Sequence, residues 1–408
     1  MERDAGARRS AGLRGRQRGA DRQQLIGIMP AKRRRTLTSA APTQTYDVAV
    51  LGGGTIGLSV AWRARARGLD VIVLDRGALG AGASHVAAGM LAPVAEADPG
   101  ERPLLALGME SARRWPTFAQ ELEDVSGLAC GFRAVGTLVV ARDRDELEAV
   151  EREVALRERL GIAVERLLPS AARRREPALA PTVRGAFHAS GDHCVDPRAV
   201  CAALAVAAER AGVVLRPGAA IERVDPATGS VVLAGGERVV AGQLVGALGA
   251  WSGALPGAAP VPVRPVKGQT LRLRGAALLD GVVRFEGGYL VPRADGRVVL
   301  GATTEERGFD TSVTALGLYE LLRDASELVP GVLELEVEET IAGLRPGTPD
   351  NAPILGRGED GVVWATGHHR NGVLLTPVTA DLLAGLLAGE DDAALAPFGP
   401  ARFVREAA

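Results

Sequence analysis

Asp47-Val48-Ala49-Val50-Leu51-Gly52-Gly53-Gly54-Thr55-Ile56-Gly57 is the stretch on which the fold turns. Its first five residues are a short apolar run rich in β-branched side chains, which reads as a buried strand. Gly52-x-Gly54-x-x-Gly57 follows with no residue between. Leu58 to Arg67 then reads as a helix stopped by Gly68, and Val71-Ile72-Val73-Leu74 as a second buried strand closed by Asp75. Together these make a βαβ unit of about 30 residues, the context this glycine pattern requires. Gly52 would make the tight turn, Gly54 would let a pyrophosphate approach the backbone, and Gly57 would let helix and strand pack closely. Thr55 and Ile56 lie at the helix N-terminus, where free N–H groups and the helix dipole favour phosphate. Asp75, at the end of the second strand, is placed to accept hydrogen bonds from a ribose, with Arg76 beside it. A glycine-rich turn with no ligand is the competing reading. It does not account for strand, turn, helix and acid all falling in register.

Leu79-Gly80-Ala81-Gly82-Ala83-Ser84-His85-Val86-Ala87-Ala88-Gly89-Met90-Leu91 follows Asp75 almost at once. Nicotinamide folds usually pass straight into a helix here. A loop of small residues instead leaves room for a larger cofactor lying against backbone at Ala83, Ser84, Ala88, Gly89 and Met90. Further motifs are Gly246-Ala247-Leu248-Gly249-Ala250-Trp251-Ser252, Pro265-Val266-Lys267-Gly268-Gln269, Tyr289-Leu290-Val291-Pro292-Arg293 and Gly301-Ala302-Thr303. Gly343-Leu344-Arg345-Pro346-Gly347-Thr348 and Gly367-His368-His369-Arg370-Asn371-Gly372 complete the set. On these motifs, residues 46–388 resemble the FAD-dependent D-amino-acid oxidase/glycine oxidase family.

That resemblance implies an α/β protein: a Rossmann-type FAD-binding domain with an inserted, mainly antiparallel substrate-binding sheet. The expected boundaries are 45–125, 180–260 and 341–398 for the FAD domain, and 126–179 and 261–340 for the substrate domain. It implies noncovalent FAD, since Cys130, Cys194 and Cys201 lie in no flavin-attachment motif. The implied activity is oxidative deamination of glycine, with sarcosine or small D-amino acids as further substrates. Molecular oxygen would be reduced to hydrogen peroxide, and the imine would be handed to thiazole synthase for thiamine. Two alternatives stay open: an amine or D-amino-acid dehydrogenase with another electron acceptor, and a noncatalytic FAD-binding subunit. Homo-oligomers are expected from the resemblance alone.

A zwitterionic substrate needs a cation that fixes its carboxylate, and Arg does so bidentately. Arg345 is the first candidate, and the resemblance makes it the substrate anchor. Tyr289 is implied as a second, hydroxyl contact, and Arg370 either adds charge or faces the substrate mouth. Hydride removal from the α-carbon asks for alignment and a neutral amine rather than a protein base. No motif at the site carries an obvious catalytic carboxylate or thiol. His368, His369, Arg370, Asn371, Gly372, Val373 and Leu374 run from a strand end toward a helix near Thr376. Their N–H groups are expected to stabilise negative charge on the flavin edge. His368 and His369 are read as loop residues satisfied by solvent or backbone rather than as metal ligands. Ile221 is implied as an aliphatic contact to adenine or its ribose. Thr304 stands where the family has a large Met, and Gly287 where a His occurs, so the pocket wall should be smaller and more polar.

Composition bounds the rest. With 408 residues, 47% of them hydrophobic and 24% charged, the chain has material for a large core and is not a disordered or disulfide-built protein. A net charge of -1 and 3% aromatic residues give nucleic-acid binding no support. Fifty-two glycines, well above the usual share of about 7%, point to tight turns and close backbone approach. Three scattered cysteines suit a reducing cytoplasm. The long uncharged stretch 239–263 is broken by five Gly and three Pro, so it reads as strand and loop rather than a membrane span. Residues 1–44 form a separate, basic segment with Lys32-Arg33-Arg34-Arg35. It reads as a disordered extension or an upstream start before Met29, with a nucleic-acid arm or transit peptide as the functional alternatives.

Overall fold

The structure is a computed structural model that describes residues 45–403. The basic segment 1–44, and every expectation attached to it, lies outside the described residues.

Thr45–Leu51 is the central strand of an eight-stranded sheet. It pairs in parallel with Val71–Leu74 on one side and Arg238–Gly246 on the other. Val214–Arg216 and Val363–Thr366 continue the parallel arrangement outward, and Ile354–Arg357 closes one edge antiparallel. Val48 and Val50 pack among Leu58, Val60 and Ala61 on the helical side. Ala49 and Leu51 pack among Val231, Leu244 and Trp364 on the other. Burial on both faces is why this strand reads as an unbroken apolar run rather than an alternating one.

The first helix spans Thr55–Ala66, starting three residues earlier than the apolar pattern suggests. Its N-terminus therefore abuts Gly54, with no loop between turn and helix. It packs against Pro197–Arg210 and Thr376–Leu387.

A second eight-stranded sheet runs Glu336–Gly347, Arg264–Arg274, Arg297–Gly301, Gly288–Pro292, Val282–Phe285, Thr137–Ala141, Gly185–Ala189 and Glu165–Leu167. All neighbours are antiparallel except Val282–Phe285 with Thr137–Ala141. The two strand systems match the expected architecture, but sheet membership departs from the expected boundaries. Gly185–Ala189 and all of Glu336–Gly347 belong to the second sheet, so boundaries at 180 and 341 cut it. Pairing partners 44 to 83 positions away decide membership there, and no local turn signal encodes them.

Candidate active site

A cavity of about 1440 Å³ opens between the carboxyl ends of the parallel strands and the second sheet. That exceeds the roughly 300–1,000 Å³ of an ordinary small-molecule site, leaving space for a dinucleotide and a substrate together.

Its nucleotide end is made of backbone. Gly52 sits at φ +112, and a Cβ there would lie 2.3 Å from Ala247 O. A Cβ on Gly57 would lie 1.9 Å from Gly52 O, so only glycine lets the helix close onto the turn. Gly54 differs: a Cβ would meet only Ser84 Oγ, at 3.3 Å, and the residue faces the cavity. Thr55 N–H donates to Ser84 Oγ at 3.2 Å, tying the small-residue loop to the helix start. Asp75 lines the cavity while its two oxygens accept from Gly53 N at 2.7 Å and Gly77 N at 2.8 Å. The carboxylate read as a ribose acceptor thus also pins the glycine turn. Arg76 lies over the Trp251 ring at 3.8 Å, and Ile221 lines the same end.

Thr55, Ile56, Ala83, Ser84, Ala88, Gly89 and Met90 all line the cavity, as do His368, His369, Arg370, Gly372 and Val373. Gly89 is also held by packing, since its φ is +84 and a Cβ would lie 2.1 Å from Val195 O. Three expected residues, Gly57, Asn371 and Leu374, do not line it. Gly57 serves packing. Asn371 N–H donates to His368 O, and its own carbonyl accepts from Leu375 N. Leu374 O accepts from Ser111 Oγ at 2.6 Å and Trp115 Nε1 at 2.9 Å, which anchors the turn to the long helix Arg102–Ser126.

That turn leads into the helix Thr376–Leu387, whose N-terminus carries no side-chain cap. Gly372 and Val373 face the cavity, and their N–H groups donate to no backbone carbonyl among the described residues. A Cβ on Gly372 would meet nothing nearer than His368 Cβ at 3.7 Å. Unsatisfied donors beside open space at a helix start suit an electron-rich ligand edge. A bare glycine turn at one end and free N–H groups at the other fit a flavin dinucleotide spanning the cavity.

The two histidines depart from the expectation of loop residues satisfied by solvent or backbone. His368 is buried, with Nε2 3.2 Å from Thr379 Oγ1, and burial lowers it to about 3. Burial, then Arg370 and Arg345, lower His369 to about 4, and its buried Nδ1 has no partner among the described residues. Both are neutral at physiological pH. Among the described residues no three His, Cys, Asp or Glu side chains group as a metal site.

The substrate end is made of side chains. Arg345 and Arg370 both line it, but their charge environments differ. Arg370 Nη2 lies 2.6 Å from Glu101 Oε2, and its Nε is 3.6 Å from Glu96 Oε2. Arg345 has no carboxylate partner among the described residues; its Nη1 donates to Thr303 O at 3.0 Å and Lys267 O at 3.4 Å. Arg345 therefore keeps an uncompensated positive charge, whereas Arg370 is neutralised within the protein. Tyr289 stands beside Arg345; burial raises its hydroxyl, the guanidinium pulls the other way, and the phenol remains a protonated donor. Gly287 and Thr304 line the same wall.

Several residues here carry no assignment from sequence. Lys267, fully buried, sets its Nζ 2.7 Å from Asp310 Oδ2 and 3.6 Å from Glu305 Oε2. Gln269 Nε2 donates to Glu305 Oε1 at 2.7 Å and Thr314 Oγ1 at 3.0 Å. These bonds fasten the segment 302–314 over the Arg264–Arg274 strand. Burial pushes Glu305 up, but Thr303, Gln269 and Lys267 outweigh it and hold the carboxylate below its usual range. Carboxylates outside the quoted motifs thus reach the cavity, but Glu96 and Glu305 are both engaged. Lys267-Gly268-Gln269 was visible as a motif without a role. Glu96 and Glu101 gave no signal, because their partner lies some 270 positions away.

The FAD dependent oxidoreductase (DAO) family model matches residues 47–386. A glycine oxidase of Geobacillus kaustophilus is 34% identical over 372 residues, covering 89% of this chain and 98% of that protein. The crystal structure of glycine oxidase from that organism superposes with a TM-score of 0.84, at 34% identity, over 89% of this chain and all of the other. The bifunctional protein ThiO/ThiG of Trichormus variabilis is 36% identical over 373 residues, covering 89% of this chain. This chain spans only 56% of that longer relative. No helix among the described residues is long and apolar enough to cross a membrane. The free glycine turn and the unpaired N–H groups thus belong to a cofactor cleft of known type, and the chain is a member of the FAD-dependent oxidoreductase (DAO) family.

Proposed function

We propose that the chain is an FAD-dependent glycine oxidase, converting glycine or a similarly small amino acid to its imine. The observation that carries this reading is the uncompensated Arg345 guanidinium beside Tyr289, in the same cavity as the dinucleotide cradle. Bound in this cleft, FAD would supply the hydride acceptor for the substrate α-C–H bond and a route for the two electrons to oxygen, with hydrogen peroxide as product.

The protein's own part is positional. Arg345 takes the substrate carboxylate, a charge-assisted contact that also fixes which way the α-carbon faces. The Tyr289 hydroxyl donates a second hydrogen bond to that carboxylate. Arg370, neutralised by Glu101 and Glu96, borders the mouth and does not compete for the anion. The amine must lose its extra proton to water before reaction, and glycine imine that is released to water rather than passed on is hydrolysed to glyoxylate and ammonia. Gly372 and Val373 N–H groups and the helix start offer fixed dipoles where negative charge arrives. His369 remains neutral and adds no charge that would draw the substrate carboxylate off Arg345.

Delivery of the imine to thiazole formation for thiamine is supported by the likeness to ThiO/ThiG. Three buried free thiols, Cys130, Cys194 and Cys201, suit a cytoplasmic setting. A noncatalytic FAD-binding role gives no reason to keep an unpaired guanidinium in the cavity. The test is release by the FAD-loaded protein of peroxide and of the matching oxo acid, glyoxylate from glycine or sarcosine and pyruvate from D-alanine. Equal molar release of both with at least one of them is expected; no release with any would refute the proposal.

A further inference from the structure

We infer that Gly268 is a positioning residue for Arg345: its missing side chain is the seat on which the guanidinium rests. This inference rests on the reading of Arg345 as the carboxylate anchor. A Cβ built on Gly268 would lie 2.4 Å from Arg345 Nη1, 2.6 Å from Nη2 and 2.7 Å from Cζ. No other atom is as near, so the guanidinium lies across the Gly268 backbone. The sheet register explains why. Arg345 pairs with Val266 on the adjacent strand, and Gly268 is the next residue of that strand on the same face. A diagonal neighbour is within reach of a long side chain. Opposite Gly268 stands Gly343, whose own open side is filled by Val86, so Gly268 alone provides the space beneath the arginine.

Backbone conformation does not require glycine here. Gly268 is absent from the left-handed residues and lies within the strand Arg264–Arg274, where alanine is readily accommodated. The clash falls wholly on the end of a flexible side chain, which can swing away without unfolding the sheet. Ordinary contact requires about 3.5 Å or more, so alanine must displace the guanidinium by roughly 1 Å. Its hydrogen bond to Thr303 O would go with it. A displacement of that size in a positioning group costs on the order of a hundredfold. Gly268 thus controls where the charge sits without touching substrate.

The experiment measures binding of glycolate, which keeps the carboxylate but is not an amine, to the FAD-loaded protein by perturbation of the flavin spectrum. Wild type, Gly268→Ala, Arg345→Ala and the double variant are compared. The expected result is that Gly268→Ala weakens glycolate about ten- to a hundredfold with the flavin still bound. In the Arg345→Ala background the same change should add nothing, because the residue it acts through is gone. Unchanged glycolate affinity in Gly268→Ala, with Arg345→Ala weakened, overturns this inference and leaves the anchor reading standing. Unchanged affinity in Arg345→Ala refutes the anchor reading itself. Full additivity in the double variant shows that Gly268 acts independently of Arg345 and also overturns the inference. Should Gly268→Ala lose its flavin, recovery in the double variant supports the clash and failure to recover contradicts it.

Discussion

At its nucleotide end the cavity is walled by backbone, and at its substrate end by side chains. The first wall comes mostly from one continuous segment, 52–90, joined by the turn 368–373. The second gathers Glu96, Lys267, Tyr289, Thr303 and Arg345, drawn from across the chain. Backbone donors at helix starts cannot be retuned by a single substitution, which suits a cofactor held permanently. Side chains on sheet strands and a fastened loop can change one at a time, which suits selection among small amines.

The sharpest way to break this contrast is at Gly57. Alanine there would press its Cβ to 1.9 Å of Gly52 O, a backbone atom that cannot step aside. Gly57→Ala should abolish flavin loading and cost about 3–5 kcal/mol of stability, read from FAD content and a thermal melt. Normal loading would mean that the glycine turn does not shape the cleft.

Arg345→Ala should do the opposite: retain flavin and a native melt, yet raise KM for glycine about a hundredfold through loss of a charge-assisted contact. Steady-state kinetics on the loaded protein checks this. If flavin is lost as well, the two walls are not separable.

The neutral histidines give the cofactor side a distinct pH response. Their folded pKa values, about 3 for His368 and about 4 for His369, lie below the ordinary 6.5. Between roughly 4 and 6.5 the unfolded chain therefore binds more protons than the folded one, and stability rises with pH. Falling pH should cost about 1.4 kcal/mol per unit per histidine in that window. Thermal melts from pH 7 to 4.5, compared with His368→Gln, should show a shallower slope in the variant. Equal slopes would place the acid sensitivity elsewhere.

Thr304→Met should have the smallest effect. It fills the substrate wall and should lower kcat/KM for D-alanine relative to glycine about three- to tenfold, leaving flavin loading untouched. An unchanged ratio would remove Thr304 from the substrate's path.

The same contrast explains what could be read from sequence. Strand, glycine turn, helix and Asp75 are adjacent in the chain, and each has a steric or electrostatic requirement that only a few residue types meet. The nucleotide end was therefore legible from residue types and spacing. Arg345 and Tyr289 were legible only through motif resemblance, since nothing local marks an arginine as unpaired. That Arg370 is the neutralised arginine depends on Glu96 and Glu101, and no spacing rule links residues so far apart. Asp75 shows the limit from the other side: its place just after the second strand is plain in the sequence, but its bonds to Gly53 and Gly77 depend on turn geometry. The membership of Glu336–Gly347 in the second sheet likewise follows from eleven residue pairs with Arg264–Arg274, all nonlocal.

The most direct test of a guanidinium-held amino acid facing a flavin is the visible spectrum of the FAD-loaded protein under anaerobic conditions. Adding glycine should bleach the flavin band, admitting air should restore it, and Arg345→Ala should need far more glycine for the same bleaching. A band unmoved by saturating glycine, sarcosine or D-alanine, or bleached at the same concentration in Arg345→Ala, would contradict it.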